Sequence, residues 1–274
     1  MKHMCKDRRI NVLEDPLGIG QLMPAKLKPT LAILVSDNDP ASNIYVRNKM
    51  RRCQEVGISC VVAAIAKENK DLAEKTLQQW ADDPDVDGII IQRPSCFEYL
   101  QCIIPPHKDV DGAMVDAEYE PCTARGIMAL LHSTNQDLAG KHAVVIGRSD
   151  TVGKPVARML LEADCTVTLC HSQTQNLAEY TKSADILVCA VGKPGLVTAD
   201  MVKPGAIVID VGINSVPDPA NPGKTKMVGD VDFGLVKDVA GWITPVPGGV
   251  GPMTVAMLLQ NVCDAHKDKM RRTS

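Results

Sequence analysis

The chain carries 30 Lys and Arg against 33 Asp and Glu in 274 residues, for a net charge of −3, and only 3% of it is aromatic. Nucleic-acid binding draws on clustered cations and on rings that stack against bases, so this composition argues against it. Hydrophobic residues make up 45%, yet no apolar run approaches the roughly 18 residues a membrane span needs. The reading is a globular protein with no membrane partner and room for one large domain or two.

The first residues, MKHMCKDRRINV, are charged and lack the apolar core of a secretory leader. That points to the cytoplasm and leaves an organelle address open. Ten cysteines are scattered along the chain without a C-x-x-C pair. Metal sites usually show tight pairs with histidines nearby, so these cysteines read as reduced, small hydrophobes, and no metal is expected.

Taken in order, TLAILVS (30–36) reads as a buried strand and ASNIYVRNKMRRCQEVGI (41–58) as a helix closed by Gly57. SCVVAAIA (59–66) is a second strand, NKDLAEKTLQQWADD (69–83) a helix and VDGIIIQ (86–92) a third strand. Strands alternating with helices predict a parallel sheet covered on both faces. Residues 93–125 are richer in Pro, His and acids, as a linker or site region is. The rhythm restarts with a helix over 126–134, the strand HAVVIG (142–147), a helix over 154–163 and the strand TVTLC (166–170). NLAEYTKSA is a helix, DILVCAVG and AIVIDVGI are strands, 216–226 is a polar, Pro-rich stretch, and a last helix runs to about 270. The expected fold is α/β with two units joined near 115–125.

VVIGRSDTVGKPVARMLL (144–161) is a strand, a glycine turn and a helix. That order sets a dinucleotide pyrophosphate against helix N-terminal amides. Gly147 and Gly153 are spaced G-x-x-x-x-x-G, a departure from G-x-G-x-x-G. An NAD site offers a carboxylate at the end of the next strand, about 20 residues on. TLCHSQTQN (168–176) has no acid there and supplies His171 and Ser172, with Arg148 in the turn. Such groups suit a 2′-phosphate, so NADP is the expected cofactor.

In the first half, Tyr45 and Lys49 stand at i and i+4 and share one helix face. Short-chain dehydrogenases use a Tyr-x-x-x-Lys pair, but theirs follows the nucleotide turn and this one precedes it. Gln92 closes the strand GIIIQ, at the strand end where ligands bind in such sheets. Asp111 in HKDVDG reads equally as a turn residue before Gly112. Near the C-terminus, TPVPGGVGPMT (244–254) concentrates prolines and glycines beyond the need of a turn.

GRSDTVGKP, DVDG, PCTARG, DVGIN, VGDV and TPVPGGVGPMT stand in the order seen in the methylenetetrahydrofolate dehydrogenase/methenyltetrahydrofolate cyclohydrolase family, which the chain resembles over about residues 30–262. The resemblance implies a homodimer of two-domain subunits that hold tetrahydrofolate derivatives in a cleft. It implies an N-terminal folate-binding catalytic domain at 1–120, a Rossmann-type NADP-binding domain at 121–251, and a helix, 252–270, packing back on the first. It makes Lys49 the catalytic lysine, Tyr45 its partner near the substrate, Gln92 the glutamine touching that lysine and Asp111 the pterin-binding aspartate. Gly147, Arg148, Ser149, Gly153, His171, Ser172 and Ile213 then line the cofactor. Pro247, Gly248, Gly249, Val250 and Gly251 line the folate, where glycines let backbone approach a flat ring and prolines hold one shape.

The implied activity oxidises 5,10-methylenetetrahydrofolate and hydrolyses the methenyl product to 10-formyltetrahydrofolate. The alternatives are a dehydrogenase-only, NAD-dependent relative and a non-catalytic folate-binding scaffold. Three features depart from the family: QRPSC (92–96) stands for Q-L-P-L-P, Ala124 for a common proline, and the usual first strand and helix are not recognisable in 1–28.

Overall fold

The computed structural model describes residues 28–36 and 40–273, with side chains from 46 to 272 in the second stretch. The expectation for residues 1–28 therefore lies almost wholly outside the described residues. The chain divides into two compact units, one of Thr123–Thr254 and one of residues 28–122 with 255–273. Among the described residues no helix is long and apolar enough to cross a membrane.

The second of these units starts with β1 (Thr30–Ser36), α1 (Pro40–Glu55), β2 (Ser59–Ile65), α2 (Lys70–Asp82) and β3 (Gly88–Ile91). The sheet is parallel in the order β2-β1-β3. Position explains composition: β1, central, buries every residue from Leu31 to Val35, whereas the edge strand β2 is half exposed. α1 stops because Gly57 takes a φ of +80°, which lets the Ile58 amide return to the Cys53 carbonyl at 2.9 Å. Ala73 and Leu77 of α2 bury against Ala32, Leu34, Ile89 and Ile91, with Phe97 and Leu100 completing that core.

The other unit holds α3 (Cys122–Ser133), β4 (His142–Ile146), α4 (Gly153–Glu162), β5 (Thr166–Cys170), α5 (Leu177–Thr181), β6 (Ile186–Cys189), β7 (Ile207–Asp210), β8 (Asn214–Pro217), β9 (Thr225–Val228), α6 (Phe233–Val236) and β10 (Trp242–Ile243). Its main sheet, β10-β7-β6-β4-β5, is parallel throughout. The chain leaves β4 towards β5 and then crosses to β6 on the other side, so the order reverses beside β4. That switch opens a crevice at the carboxyl ends of the strands.

The last helix, α7 (Val250–Thr273), begins in this unit and continues into the other. It starts two residues before the expected 252, because Pro252 in its first turn lacks only an amide that would have no helical partner. From 255 onwards it is tied to the β2-β1-β3 unit. Buried Asn261 donates to the carbonyls of Val110 at 2.8 Å and Glu120 at 3.2 Å. His266 Nδ1 lies 3.1 Å from Asp87 Oδ2, and Lys269 and Arg272 pair with Asp87 and Glu118.

Other differences from the expected elements have local causes. α3 begins at Cys122 rather than 126, directly after Pro121. Residues 93–125 contain two 3-10 turns, Glu98–Ile103 and Pro106–Lys108. The 216–226 stretch is flanked by the antiparallel hairpin β8-β9, whose short strands are largely exposed and so show no apolar alternation.

Asn261→Ala removes the amide donor shared by the Val110 and Glu120 carbonyls, and is expected to lower unfolding free energy by about 1–3 kcal/mol. Urea denaturation of the two proteins side by side measures it.

Candidate active site

Every residue of the segment KDVDG has a structural task. Lys108, buried, donates to the carbonyls of Trp80, Ala81 and Asp83 at 3.0, 2.8 and 2.6 Å, placing a cation on the C-terminal end of α2. Asp109, fully buried, accepts from the Ala113 and Met114 amides at 3.0 and 2.9 Å, and burial pushes its carboxyl above the usual range. The Val110 carbonyl receives Asn261 and the Cys122 thiol, the latter at 3.2 Å. Gly112 has a φ of +65°, and a Cβ there would meet the Tyr119 carbonyl oxygen at 2.6 Å. These bonds hold Asp111, only partly buried, so that its charge acts on Lys49.

Lys49 projects from α1 and donates to Gln92 Oε1 at 2.8 Å. Gln92 is buried; its Nε2 donates to the Arg93 carbonyl at 2.7 Å, which fixes the amide with its oxygen towards the lysine. Its backbone amide bonds the Leu34 carbonyl, continuing the β1–β3 ladder by one residue. Burial lowers the Lys49 pKa, against the opposing charge of Asp111. A lysine in this state exchanges its proton more readily than one in water. Tyr45 lies on the same helix, one turn earlier; its side chain is outside the described residues.

The unusual QRPSC segment is locally satisfied. Ser95 Oγ accepts from the Phe97 amide at 3.1 Å and bonds Ser36 Oγ at 2.8 Å, linking the ends of two strands. Arg93 Nε stands 3.8 Å from Glu98, a half-exposed pair. Ala124 is fully buried in α3.

In the strand-switch unit, Gly147 has a φ of +117° and a Cβ there would strike the Ala190 carbonyl oxygen at 2.2 Å. A Cβ on Gly153 would lie 2.0 Å from the Gly147 oxygen, so the turn from β4 into α4 closes only with glycine at both positions. Ser149 Oγ accepts from the Val152 and Gly153 amides at 3.2 and 3.3 Å, tightening the turn that leads into α4. Arg148 is exposed beside it. Just past β5, Ser172 is exposed, and His171 Nδ1 accepts from the Gln173 amide at 3.2 Å, so the neutral ring carries its proton on Nε2. Ile213 is 52% exposed after β7. All seven residues follow the carboxyl ends of β4, β5 or β7.

Two residues absent from the sequence expectation organise this edge. Asp210 Oδ1 accepts from the Gly212 and Asp230 amides at 3.0 and 2.8 Å, and Oδ2 from Val231 at 3.0 Å. Asp230 in turn accepts from the amides of Val191, Gly192 and Lys193 at 2.7, 3.0 and 2.8 Å, and from Asn214 Nδ2 at 2.9 Å. The Asp210 amide accepts no such load; it donates to Thr244 Oγ1 at 2.8 Å, anchoring the start of TPVPGGVG. Within that segment Gly248 has a φ of +105°, Pro247, Gly248 and Gly251 are exposed, and Gly249 and Val250 are buried. The available signal was a carboxylate inside the apolar run AIVIDVGI, which has to be met by donors when buried.

A parallel sheet with a glycine turn at its switch point, joined to a second α/β unit carrying the glutamine-bound Lys49, defines a two-domain nucleotide-dependent dehydrogenase. The chain belongs to the tetrahydrofolate dehydrogenase/cyclohydrolase family: that family's catalytic domain matches residues 13–111 and its NAD(P)-binding domain residues 121–270. It is 47% identical over 277 residues to the bifunctional protein FolD of Methanospirillum hungatei, covering 96% of this chain and 95% of that one. Among solved structures, the bifunctional methylenetetrahydrofolate dehydrogenase/cyclohydrolase of Campylobacter jejuni superposes with a TM-score of 0.84 at 38% identity, over 91% of this chain and 92% of that one. The Trypanosoma brucei enzyme, solved with NADP and an inhibitor, gives 0.82 at 33% identity over 89% of each chain.

Burial pushes the Asp210 carboxyl up to about 6. Because this lies above its unfolded value, the native state keeps the proton that the unfolded chain releases first. The residue's contribution to stability is present at low pH and is lost as pH rises through about 4 to 6. Asp210→Asn is therefore expected to be more destabilising at pH 4 than at pH 7, by on the order of 3 kcal/mol. Urea midpoints of both proteins across that range test it.

Proposed function

We infer that this chain oxidises 5,10-methylenetetrahydrofolate with NADP+ and hydrolyses the resulting methenyl derivative to 10-formyltetrahydrofolate. The observation that carries the reading is the partly buried Lys49–Gln92 hydrogen bond, within a family defined by both activities.

The residues present suit the cofactor. The turn after β4 closes tightly on glycine, α4 begins behind it, and the donors Arg148, Ser149, His171 and Ser172 follow β4 and β5 with no carboxylate at the end of β5. A 2′-phosphate is favoured by such donors and a bare ribose diol by an acid, which supports NADP over NAD. Gly147, Gly153 and Ile213 complete this set. NADP+, when bound, supplies the hydride acceptor of the first reaction.

In the first reaction the folate nitrogen's lone pair drives hydride departure, so the chain's own work is positioning: Asp111 takes hydrogen bonds from the pterin and Tyr45 faces the substrate. The Pro247–Gly251 segment is assigned to folate contact. In the second, water adds to the methenyl carbon. Lys49 in its neutral form accepts the water's proton and returns it as the ring opens, while Gln92, fixed by its bond to the Arg93 carbonyl, aims the amine. In this assignment residues 28–122 with 255–273 are the folate domain. A homodimer and a cytoplasmic location complete the reading; light scattering on the purified protein decides the former.

Lys49→Met is expected to abolish methenyl hydrolysis and leave measurable dehydrogenase turnover. Separate absorbance assays of NADPH formation and methenyl consumption test this, and equal loss of both in a folded variant overturns the division of labour. A wild-type protein that accumulates methenyltetrahydrofolate is instead a dehydrogenase alone. Arg148→Ala is expected to raise the KM for NADP+ roughly tenfold to a hundredfold, as loss of one bond to a charged group does, and to leave that for NAD+ nearly unchanged.

A further inference from the structure

Lys49 has thiols around it that the proposed reaction does not use. Cys53 follows it by one helical turn on α1 and is fully buried. Cys60 stands in the edge strand β2, half-buried, and the Cys53 and Cys60 thiols are near enough to shift each other's proton affinity. The chain between them is a tight return, held by the 2.9 Å bond from the Ile58 amide to the Cys53 carbonyl around Gly57. Cys60 also lines an open cavity of about 510 Å³, together with Lys28, Arg47, Met50, Arg51 and Gln54. One thiol is thus reachable from solvent through a cationic mouth, and its partner is buried on the helix that bears Lys49. Arg51 shares its charge with Glu55 at 3.7 Å.

We propose that Cys60 and Cys53 form a dithiol that hydroperoxides oxidise to a disulfide, and that this disulfide shuts down proton transfer by Lys49. The neighbouring Cys53 thiol and the charge of Lys49 hold the Cys60 thiol below its usual range, against burial, whereas Cys53 is pushed up by its pairing with Cys60 and by burial. The roles follow. The Cys60 thiolate attacks hydrogen peroxide; an S–O bond forms, the O–O bond breaks, and after protonation a sulfenic acid and one water result. The Cys53 sulfur then attacks the Cys60 sulfur; the S–S bond forms, the S–O bond breaks, and hydroxide leaves with the Cys53 proton as a second water. Two thiols are oxidised and one peroxide is reduced. The cross-link ties α1, the helix that carries Lys49, to β2 one turn beyond the lysine, and so pulls its amine out of line with Gln92. The effect on turnover rests on the function proposed above; the thiol chemistry does not.

The test treats the full-length protein with hydrogen peroxide, alkylates remaining thiols, and maps peptides after cleavage behind Glu55, which lies between the two cysteines. The expected result is a Cys53–Cys60 cross-linked pair that separates on reduction, and a loss of methenyl hydrolysis that dithiothreitol restores. Cys60→Ser is expected to keep its activity in peroxide. Cys53→Ser is expected to stop at a Cys60 sulfenic acid that dimedone captures. The proposal is overturned if both thiols remain alkylatable under peroxide that oxidises the exposed Cys96 and Cys102. A disulfide that forms with hydrolysis unchanged overturns the link to Lys49. A protein without turnover before oxidation counts against the proposed function, and the peptide map still decides the dithiol.

Discussion

A carboxylate removed from water has to be met by donors, and the nucleotide-binding unit is built around two that are. Asp210 and Asp230 between them gather amides from the ends of β6 and β7 and from the segment after β9. Backbone amides that would otherwise be unpaired in loops thus converge on two points, and loops at the carboxyl edge of a parallel sheet acquire the stiffness of the sheet. Through Thr244 the same arrangement reaches the proline–glycine segment that leads into α7. Rigid loops lose little freedom when a ligand orders against them, so affinity is not spent on shaping the site.

The β2-β1-β3 unit solves the same problem with a mixed set of charges. Lys108 closes a helix end, Asp109 closes its own loop, and Asn261 secures that loop from α7. With these groups absorbed in structure, Lys49 and Asp111 are left as the pair whose charges act on one another without a closing bond. The distinction between the two aspartates of one short motif is therefore one of environment. Asp109 is buried and saturated with amides; Asp111 is partly open and bonded to substrate in the proposed reaction.

Much of this was legible in the sequence. The strand–helix alternation survives folding because each parallel strand must be apolar on both faces and each crossover must be amphipathic, so both sheets lie where the periodicity predicts. Lys49, Gln92 and Asp111 were found as polar residues at a helix face, a strand end and a turn, and they do converge on one another. What escaped notice are the groups whose partners are backbone atoms distant in sequence: Asp210, Asp230 and Asn261. Side-chain spacing carries no trace of an amide that a loop will deliver. The β8–β9 hairpin escaped for the opposite reason, since exposed strands have no buried face to record. QRPSC looked like a lost feature in the sequence, yet Ser95 gains partners in Ser36 and the Phe97 amide that an apolar residue would not have.

The two glycine-containing motifs of the nucleotide unit interlock atom by atom. A Cβ on Gly229 would fall 1.8 Å from an oxygen of Asp210, and a Cβ on Gly212 would fall 2.2 Å from an oxygen of Asp230. Each motif supplies the aspartate that fills the space its counterpart's glycine leaves empty. DVG and GD are thus two halves of a single key, read out of one chain at separate addresses. A chimaera with a distant relative inherits a working edge only when both halves come from the same parent or when both parents cut the key alike. Of the hairpin between them only Asn214, which donates to Asp230, joins this key, so the two flanks and that residue form one heritable unit.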